Sequence, residues 1–492
     1  MFSVVGDLSE RPKADLIVVP FFQGVRGVES IATPSDLRAE VDLVINSGDF
    51  SAKSGATMLL HLSGKNEKRL LLLGLGEEVS CNLETLRCAY AAAMKRCQNK
   101  RWAYVSFVLP TLKKCDHVAI VRAISESIES CLYLFEEWKS KKATYYIENI
   151  ALIGTKEMEV VKKTSNIFSG VNLARHLINR NALDITPQTL GTRAQRLAQA
   201  FPSVVNTTLL TKEQIEREKM GLFLAVASGS YSDPALIVIE YQGNAHTKDR
   251  TMIVGKGVTF DTGGINLKST GCVEDMRSDM SGAAATLGTI QAAASIKLNH
   301  NIVGIIPATE NAIGPRSYKP GDVYRSKQGT TVEISNTDAE GRLILADAIS
   351  YGQEKFFPSR IIDIATLTGG IVVALGDRRA GLFSNNDQFA ESCERAGEIT
   401  GEYVWRMPLG PGYRSFLESD IADIKNAATD PSRKAVPITA AIFLKEFIPK
   451  NIPWIHLDIA GTAFLDKPRD YYTSLATGFG VRLMIELLTS YS

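Results

Sequence analysis

The stretch NTDAEGR, residues 336–342, sets Asp338 and Glu340 two apart and puts Arg342 at the start of an apolar-periodic segment, RLILADAISYGQEKF. A helix N-terminus carries partial positive charge, so an arginine there is unfavourable unless an anion lies beside it. In an extended segment, residues two apart project to the same side, and the two carboxylates are expected to reach one point in space. Two further stretches carry acids and a lysine. In MIVGKGVTFDTGG, Lys256 interrupts an apolar run, Asp261 follows five residues later, and Gly263–Gly264 allows a tight turn. In DMRSDMSGAAATL, Asp275 and Asp279 stand just before an alanine-rich segment. Acids gathered in one cleft repel one another and raise their own pKa values unless positive charge lies between them. Lys256, Lys268 and Arg342 supply part of that charge, and two divalent cations would supply the rest. Four carboxylates formally neutralise two such ions, the balance of a dinuclear hydrolytic centre. No histidine lies near these stretches and none of the seven cysteines clusters with them. Oxygen-rich ligation suits Mn2+ or Mg2+, and Zn2+ also accepts carboxylates.

Each residue also has a plainer reading. Asp275 and Asp279 are placed to stabilise a helix N-terminus, and Lys256 is placed to pair with Asp261. A phosphate loop is the disfavoured alternative, because the GxxxxGK[ST] spacing is absent and the glycines lead into INLKST rather than a helix. His456 sits inside the apolar run WIHLDIAG and reads as a satisfied core residue, while His61 and His117 have no acidic or thiol neighbours at ligand spacing.

The elements that must position these residues are strands and helices in alternation. Residues 1 to about 155 carry the strand-like runs LIVVPFF (16–22), RLLLLGLG (69–76), AYVSFVLP (103–110) and YYIENIALIG (145–154). LETLRCAYAAAMKRCQ and HVAIVRAISESIESCLYLFEEW, between them, have helical spacing. A helical stretch follows, and DITPQTL offers a cap with Pro187 in a first turn. Beyond it lie the strand runs 234–241, 251–260, 301–310, 330–338, 360–369 and 454–461, several ending in polar residues, with SGAAATLGTIQAAASIKL and RLILADAISYGQEKF as helices. Open α/β sheets place ligands outside the carboxyl ends of their strands. The expectation is therefore an α/β protein of two domains. Residues 1–165 form a smaller, non-catalytic α/β domain, and residues 166–492 a larger catalytic α/β domain with a mixed central sheet flanked by helices.

Bulk composition excludes several classes. At 492 residues, 45% hydrophobic and 22% charged, the chain has the composition of a globular protein, and its formal net charge of +1 gives no field to recruit nucleic acid. The charge runs KNEKR (65–69) and EEWKSKK (136–142) read as solvated faces. An odd set of scattered cysteines without a CxxC fits free thiols in a reducing compartment. No run approaches the roughly 20 apolar residues of a membrane span, and the N-terminus lacks the form of a secretory signal. A cytoplasmic location is expected.

GKGVTFDTGG, INLK, MRSDMSGAAA, ENAIGPRSYKPGDV, NTDAEGRLILADA, ATLTGG and HLDIAGTAF, in this order, resemble family M17, the dinuclear-metal leucyl or cytosol aminopeptidases. The resemblance covers essentially the whole C-terminal domain, whereas the N-terminal domain matches in size and texture only. It implies a metal-dependent exopeptidase that releases leucine and other apolar N-terminal residues from short peptides, built as a homohexamer. Asp261 and Glu340 would bridge two metal ions (Zn2+, Mn2+ or Mg2+), with Lys256, Asp279 and Asp338 completing the sites. Lys256 would ligate as the neutral amine. Lys268 and Arg342 would be catalytic: Lys268 at the substrate and its oxyanion, Arg342 holding a bicarbonate with the N–H groups of Gly341 and Leu343. Met276, Thr366, Leu367, Gly369 and Ala463 would contact the substrate. Some relatives carry a larger methionine where this chain has Ala463, followed by Phe464, so preference among leucine, methionine and aromatic residues stays open. Asp275 falls outside the ligand set and keeps its capping role.

Two other readings compete. A scaffold or DNA-binding protein could retain such a fold without activity, but the full ligand set and the near-zero charge argue against it. A dinuclear phosphatase would use histidines, and none is placed to serve.

Overall fold

A computed structural model describes every residue except 1, 25–26, 31, 143–146, 429–433, 474 and 492. The chain forms two compact units: Met1–Phe168 with Lys467–Thr473, and Ser169–Asp466 with Ser474–Ser492.

In the first unit the strands are β1 (Phe2–Val5), β2 (Leu16–Gly24), β3 (Gly27–Ser30), β4 (Thr57–His61), β5 (Arg69–Gly74), β6 (Tyr104–Val108) and β7 (Asn149–Ile153). The helices are α1 (Arg38–Ser47), α2 (Leu83–Lys100), α3 (His117–Leu132) and α4 (Met158–Asn179), the last running past the unit's limit. The sheet order is β1-β7-β6-β2-β5-β4, with β3 beside β2. β2 and β5 read as continuous apolar runs because they are buried along almost their whole length, as expected of parallel strands covered on both faces. Within 145–154 the strand is confined to Asn149–Ile153, and residues 145 and 146 lie outside the described residues. Residues 467–473 join this unit late in the chain: Lys95 donates to the Asp470 carbonyl at 2.5 Å and Ser130 to that of Tyr471 at 3.0 Å.

The second unit contains β8 (Val205–Leu210), β9 (Ala235–Gln242), β10 (Arg250–Gly255), β11 (Gly257–Asp261), β12 (Asn301–Asn311), β13 (Val323–Arg325), β14 (Thr331–Glu333), β15 (Arg360–Ala365), β16 (Ala380–Ser384), β17 (Val404–Arg406), β18 (Ile424–Lys425), β19 (Trp454–Asp458), β20 (Phe464–Leu465) and β21 (Leu475–Ala476). Its helices are α5 (Pro187–Ala200), α6 (Lys212–Arg217), α7 (Gly221–Ala227), α8 (Ser281–Ile296), α9 (Gly341–Phe356), α10 (Gly369–Leu375), α11 (Asp387–Thr400), α12 (Val436–Lys445) and α13 (Val481–Thr489). Pro187 opens α5 as the sequence suggests, with the Thr186 hydroxyl accepting from the Thr189 N–H. The main sheet runs β17-β16-β19-β15-β10-β12-β9-β8, with β11 beside β12. Its centre, β19-β15-β10-β12, is parallel, while β8, β9 and β16 pair antiparallel, so the sheet is mixed. α8 is apolar around its circumference and is correspondingly buried nearly throughout.

One predicted strand is corrected. Of 330–338 only Thr331–Glu333 is a strand, and it belongs to a separate three-stranded sheet with β13 and β18. The rest is turn, and Glu340 has helical backbone angles. Its side chains are therefore not placed by strand alternation.

Candidate metal centre

The carboxyl ends of the parallel strands supply most of the site. Lys256 follows β10, Asp261 ends β11, Asn311 ends β12, Thr366 follows β15 and Asp458 ends β19. Asp279 comes from the 3-10 turn Met276–Met280 ahead of α8, and Asp338 and Glu340 from the turn ahead of α9. Gly263 and Gly264 both have positive φ, 87° and 66°, which turns the chain back after Asp261.

One oxygen each from Asp261, Asp338 and Glu340 lies within 4.8 Å of the others. Asp279 joins them through Lys256, whose Nζ is 2.8 Å from Asp279 Oδ1 and 2.9 Å from Glu340 Oε1. Lys268 Nζ stands 2.8 Å from Asp261 Oδ2 and 2.5 Å from Asp338 Oδ1. The convergence comes from the turn and the strand ends together, not from the i, i+2 alternation that the sequence suggests. Asp261, Asp279, Glu340 and Lys256 are buried, and Asp338 is partly exposed.

Electrostatics follow from that burial. Burial pushes Asp279 well above the usual carboxylate range. Asp338 is pushed up to about 6, by burial first and then by Glu340 and Asp261. Burial also opposes charge on Glu340, yet Lys256 and Lys268 hold it below its ordinary value. For Lys256, burial disfavours the ammonium, but Asp279, Glu340 and Asp261 more than restore it. A dication among these carboxylates would reverse that sign, since like charges depress one another's protonation.

The donor set fits such ions. Asp279 Oδ2 and Glu340 Oε2 are buried with no hydrogen-bond partner among the described residues, a costly state for a carboxylate oxygen unless a cation meets it.

Residues without a notable spacing brace these carboxylates and the loop beside them. Asn311 donates to Asp261 Oδ1 at 2.7 Å and to the Thr337 carbonyl at 3.0 Å, and Tyr318 donates to the same carbonyl at 2.7 Å. Asp458, fully buried, accepts from the Leu367 N–H at 3.0 Å and the Thr368 hydroxyl at 2.7 Å, which fixes the ATLTGG loop. Of the expected substrate contacts, Thr366 is tied to Asp279 and Lys256. Its hydroxyl donates to Asp279 Oδ1 at 2.8 Å and its carbonyl accepts from Lys256 at 2.9 Å. Leu367 is half-buried and Gly369 exposed at the start of α10. Met276 is half-buried and Ala463 buried; their segments approach where Arg277 lies over the Phe464 ring, 5.4 Å from its centroid.

Arg342 is buried, and its Nη1 donates to the Asn426 carbonyl at 2.8 Å. Its Nε has no partner among the described residues, and burial pulls its pKa down to about 10. Of the expected N–H donors, that of Leu343 meets the Glu340 carbonyl at 3.0 Å, and its side chain is in the core. Gly341 lies against Lys256, so that a Cβ there would stand 2.6 Å from the lysine Cε. Asp275 precedes the 3-10 turn but makes no side-chain cap bond; its nearest ion pair is Arg277 at 3.7 Å. His456 is the expected core residue, fully buried, 2.6 Å from Asp363 and stacked on Phe383.

Residues 172–485 match the cytosol aminopeptidase family, catalytic domain, and residues 18–142 its N-terminal domain. The chain belongs to the cytosol aminopeptidase family. The probable cytosol aminopeptidase of Protochlamydia amoebophila (strain UWE25) is 45% identical over 100% of this chain and 99% of its own length. That of Chlamydia felis (strain Fe/C-56) is 42% identical over 99% and 98%. Among solved structures, the bottromycin maturation enzyme BotP superposes with a TM-score of 0.85 at 29% identity, covering 97% of this chain and 99% of that one, and BotP in complex with Mn does so equally. This member of the family is an aminopeptidase, a hydrolase of peptides. Among its described residues no helix is long and apolar enough to cross a membrane.

Proposed function

We propose that this aminopeptidase is a two-metal exopeptidase that trims leucine and other apolar residues from the N-termini of short peptides in the cytoplasm, as a homohexamer. The observation that carries the reading is the convergence of Asp261, Asp338 and Glu340 oxygens, with Asp279 held beside them by Lys256. Divalent ions held by Lys256, Asp261, Asp279, Asp338 and Glu340 would polarise the scissile carbonyl and acidify a water. Mn2+ is a natural first choice for oxygen ligands, and the related BotP is known in complex with Mn.

The chain's own groups do the rest. Lys268 keeps its ammonium, because burial is outweighed by Asp261, Glu340 and Asp338, and it presents N–H donors to the oxyanion that develops on the attacked carbonyl. Arg342 is a buried cation whose Nη1 meets a neutral carbonyl, and it opens α9, where the N–H groups of Gly341 and Arg342 precede the first intrahelical bond. That pairing suits bicarbonate, which would serve as the base. Met276, Thr366, Leu367, Gly369 and Ala463 would line the pocket for the first side chain.

Metal reconstitution tests this. Chelated enzyme reloaded with Mn2+, Zn2+ or Mg2+ should recover hydrolysis of leucine-p-nitroanilide, and N-acetylated peptides should be refused. Full activity of the chelated enzyme, or cleavage of blocked peptides, would sink the reading.

A further inference from the structure

The turn that carries Asp338, Glu340 and Arg342 has few bonds of its own: Asp338 N–H to Asn336 Oδ1 at 2.9 Å, and Ala339 N–H to the Asn336 carbonyl at 3.3 Å. On one side the contacts all fall on Thr337: its carbonyl takes Asn311 and Tyr318, its N–H donates to Asn266 Oδ1 at 2.8 Å, and its hydroxyl meets Asn266 and Gly263. On the other side one residue far along the chain meets it repeatedly. Asn426 follows β18 and is fully buried. Its Oδ1 accepts from the Ser335 N–H at 2.8 Å, the Ser335 hydroxyl at 3.1 Å and the Asn336 N–H at 3.2 Å. Its Nδ2 donates to the Asn336 carbonyl at 2.7 Å and, more weakly, to that of Ala339 at 3.4 Å. Its main-chain carbonyl accepts from Arg342 Nη1 at 2.8 Å, and its own N–H donates to the Glu333 carbonyl at 2.9 Å.

We propose that Asn426 is a positioning residue that fixes the metal-binding carboxylates of this turn and Arg342 in one register. Its side chain grips the peptides on both sides of Asp338, and its carbonyl holds the guanidinium. Only a carboxamide of this length offers an acceptor to Ser335 and Asn336 and a donor to the carbonyls of Asn336 and Ala339 at once. A carboxylate keeps the first half and turns a second oxygen toward the carbonyls; alanine keeps neither. The main-chain carbonyl survives either change, so loss of the side chain loosens Asp338 and Glu340 while Arg342 keeps its partner. The effect should therefore fall on metal affinity before catalysis.

The inference rests on Asp338 and Glu340 being metal ligands, and the experiment separates the two claims. Mn2+ dissociation constants would be measured by calorimetry on full-length chelated wild type, Asn426→Ala, Asn426→Asp and Glu340→Gln, with thermal melts of each. Outer partners of metal ligands typically hold about 10–100-fold in affinity. Asn426→Ala is expected to bind Mn2+ weaker by about that factor, with kcat returning toward wild type at saturating Mn2+. Asn426→Asp is expected to fall between, and it carries the test should the alanine chain fail to fold. A folded Asn426 variant that binds Mn2+ within about two-fold of wild type overturns the inference while leaving the ligand set intact. Glu340→Gln binding as tightly as wild type overturns the ligand set, and the inference with it.

Discussion

Two kinds of buried charge group stand out, one in each unit. In the first, acids and arginines form closed groups. Glu126 takes Arg87 on one oxygen and Arg122 on the other, each at 2.9 Å, and Arg11 spans Glu67 and Asp36 at 2.7 Å. In the second, four carboxylates share two lysines, and Asp279 and Glu340 each keep one buried oxygen without a partner among the described residues. A closed group has met its desolvation penalty with fixed partners and has nothing left to offer a ligand. An under-filled group is unstable by itself and supplies coordination. Both kinds of group pair carboxylates with cations; a buried oxygen left without a partner is what marks the group that can take a ligand.

That contrast can be broken by substitution. Glu340→Gln should cost most, removing metal and activity together; Mn2+ titration with a leucine-p-nitroanilide assay reads both, and full retained activity would contradict the assignment. Lys268→Ala should keep its metal and lose about 100–1000-fold in kcat, the size expected for a lost oxyanion donor. In the first unit, Glu126→Ala removes one of two carboxylates paired with buried Arg87, Glu84 remaining at 3.2 Å, and should cost about 1–3 kcal/mol of stability by chemical denaturation. Metal affinity and kcat of the folded fraction should not change, because the pair there is structural. The smallest effect is expected from Asp458→Asn, which weakens the hold on the ATLTGG loop. It should raise KM for apolar substrates several-fold, with a stability loss of about 1–2 kcal/mol. If Glu126→Ala altered metal affinity, or Asp458→Asn left KM unchanged, the division between closed and open groups would not hold.

The charged residues of the site were legible because charge in apolar surroundings is rare and calls for a reason. Lys256 inside a strand run and Asp338–Glu340 before a helix announce themselves, and polar strand ends show where they gather. The expected mixed α/β architecture followed from the same runs. The neutral braces were not legible. Asn311, Asn426 and the Thr366 carbonyl act through ordinary amides, and Asn426 meets its partners about ninety residues away, with no spacing to betray it. The alternation argument for Asp338 and Glu340 named the right pair for the wrong reason, since a turn brings them together.

The contact between Gly341 and Lys256 limits how this sequence can drift. Gly341 does not have the positive φ that would make glycine necessary for its backbone, so the constraint is one of occupied space. The lysine tip it touches is held by Asp279, Glu340 and the Thr366 carbonyl and has no room to retreat. Even alanine, which a helix would otherwise favour, would displace the lysine from its partners. One hydrogen at position 341 ties this turn to the end of β10 as a single inherited unit, the two able to change only together.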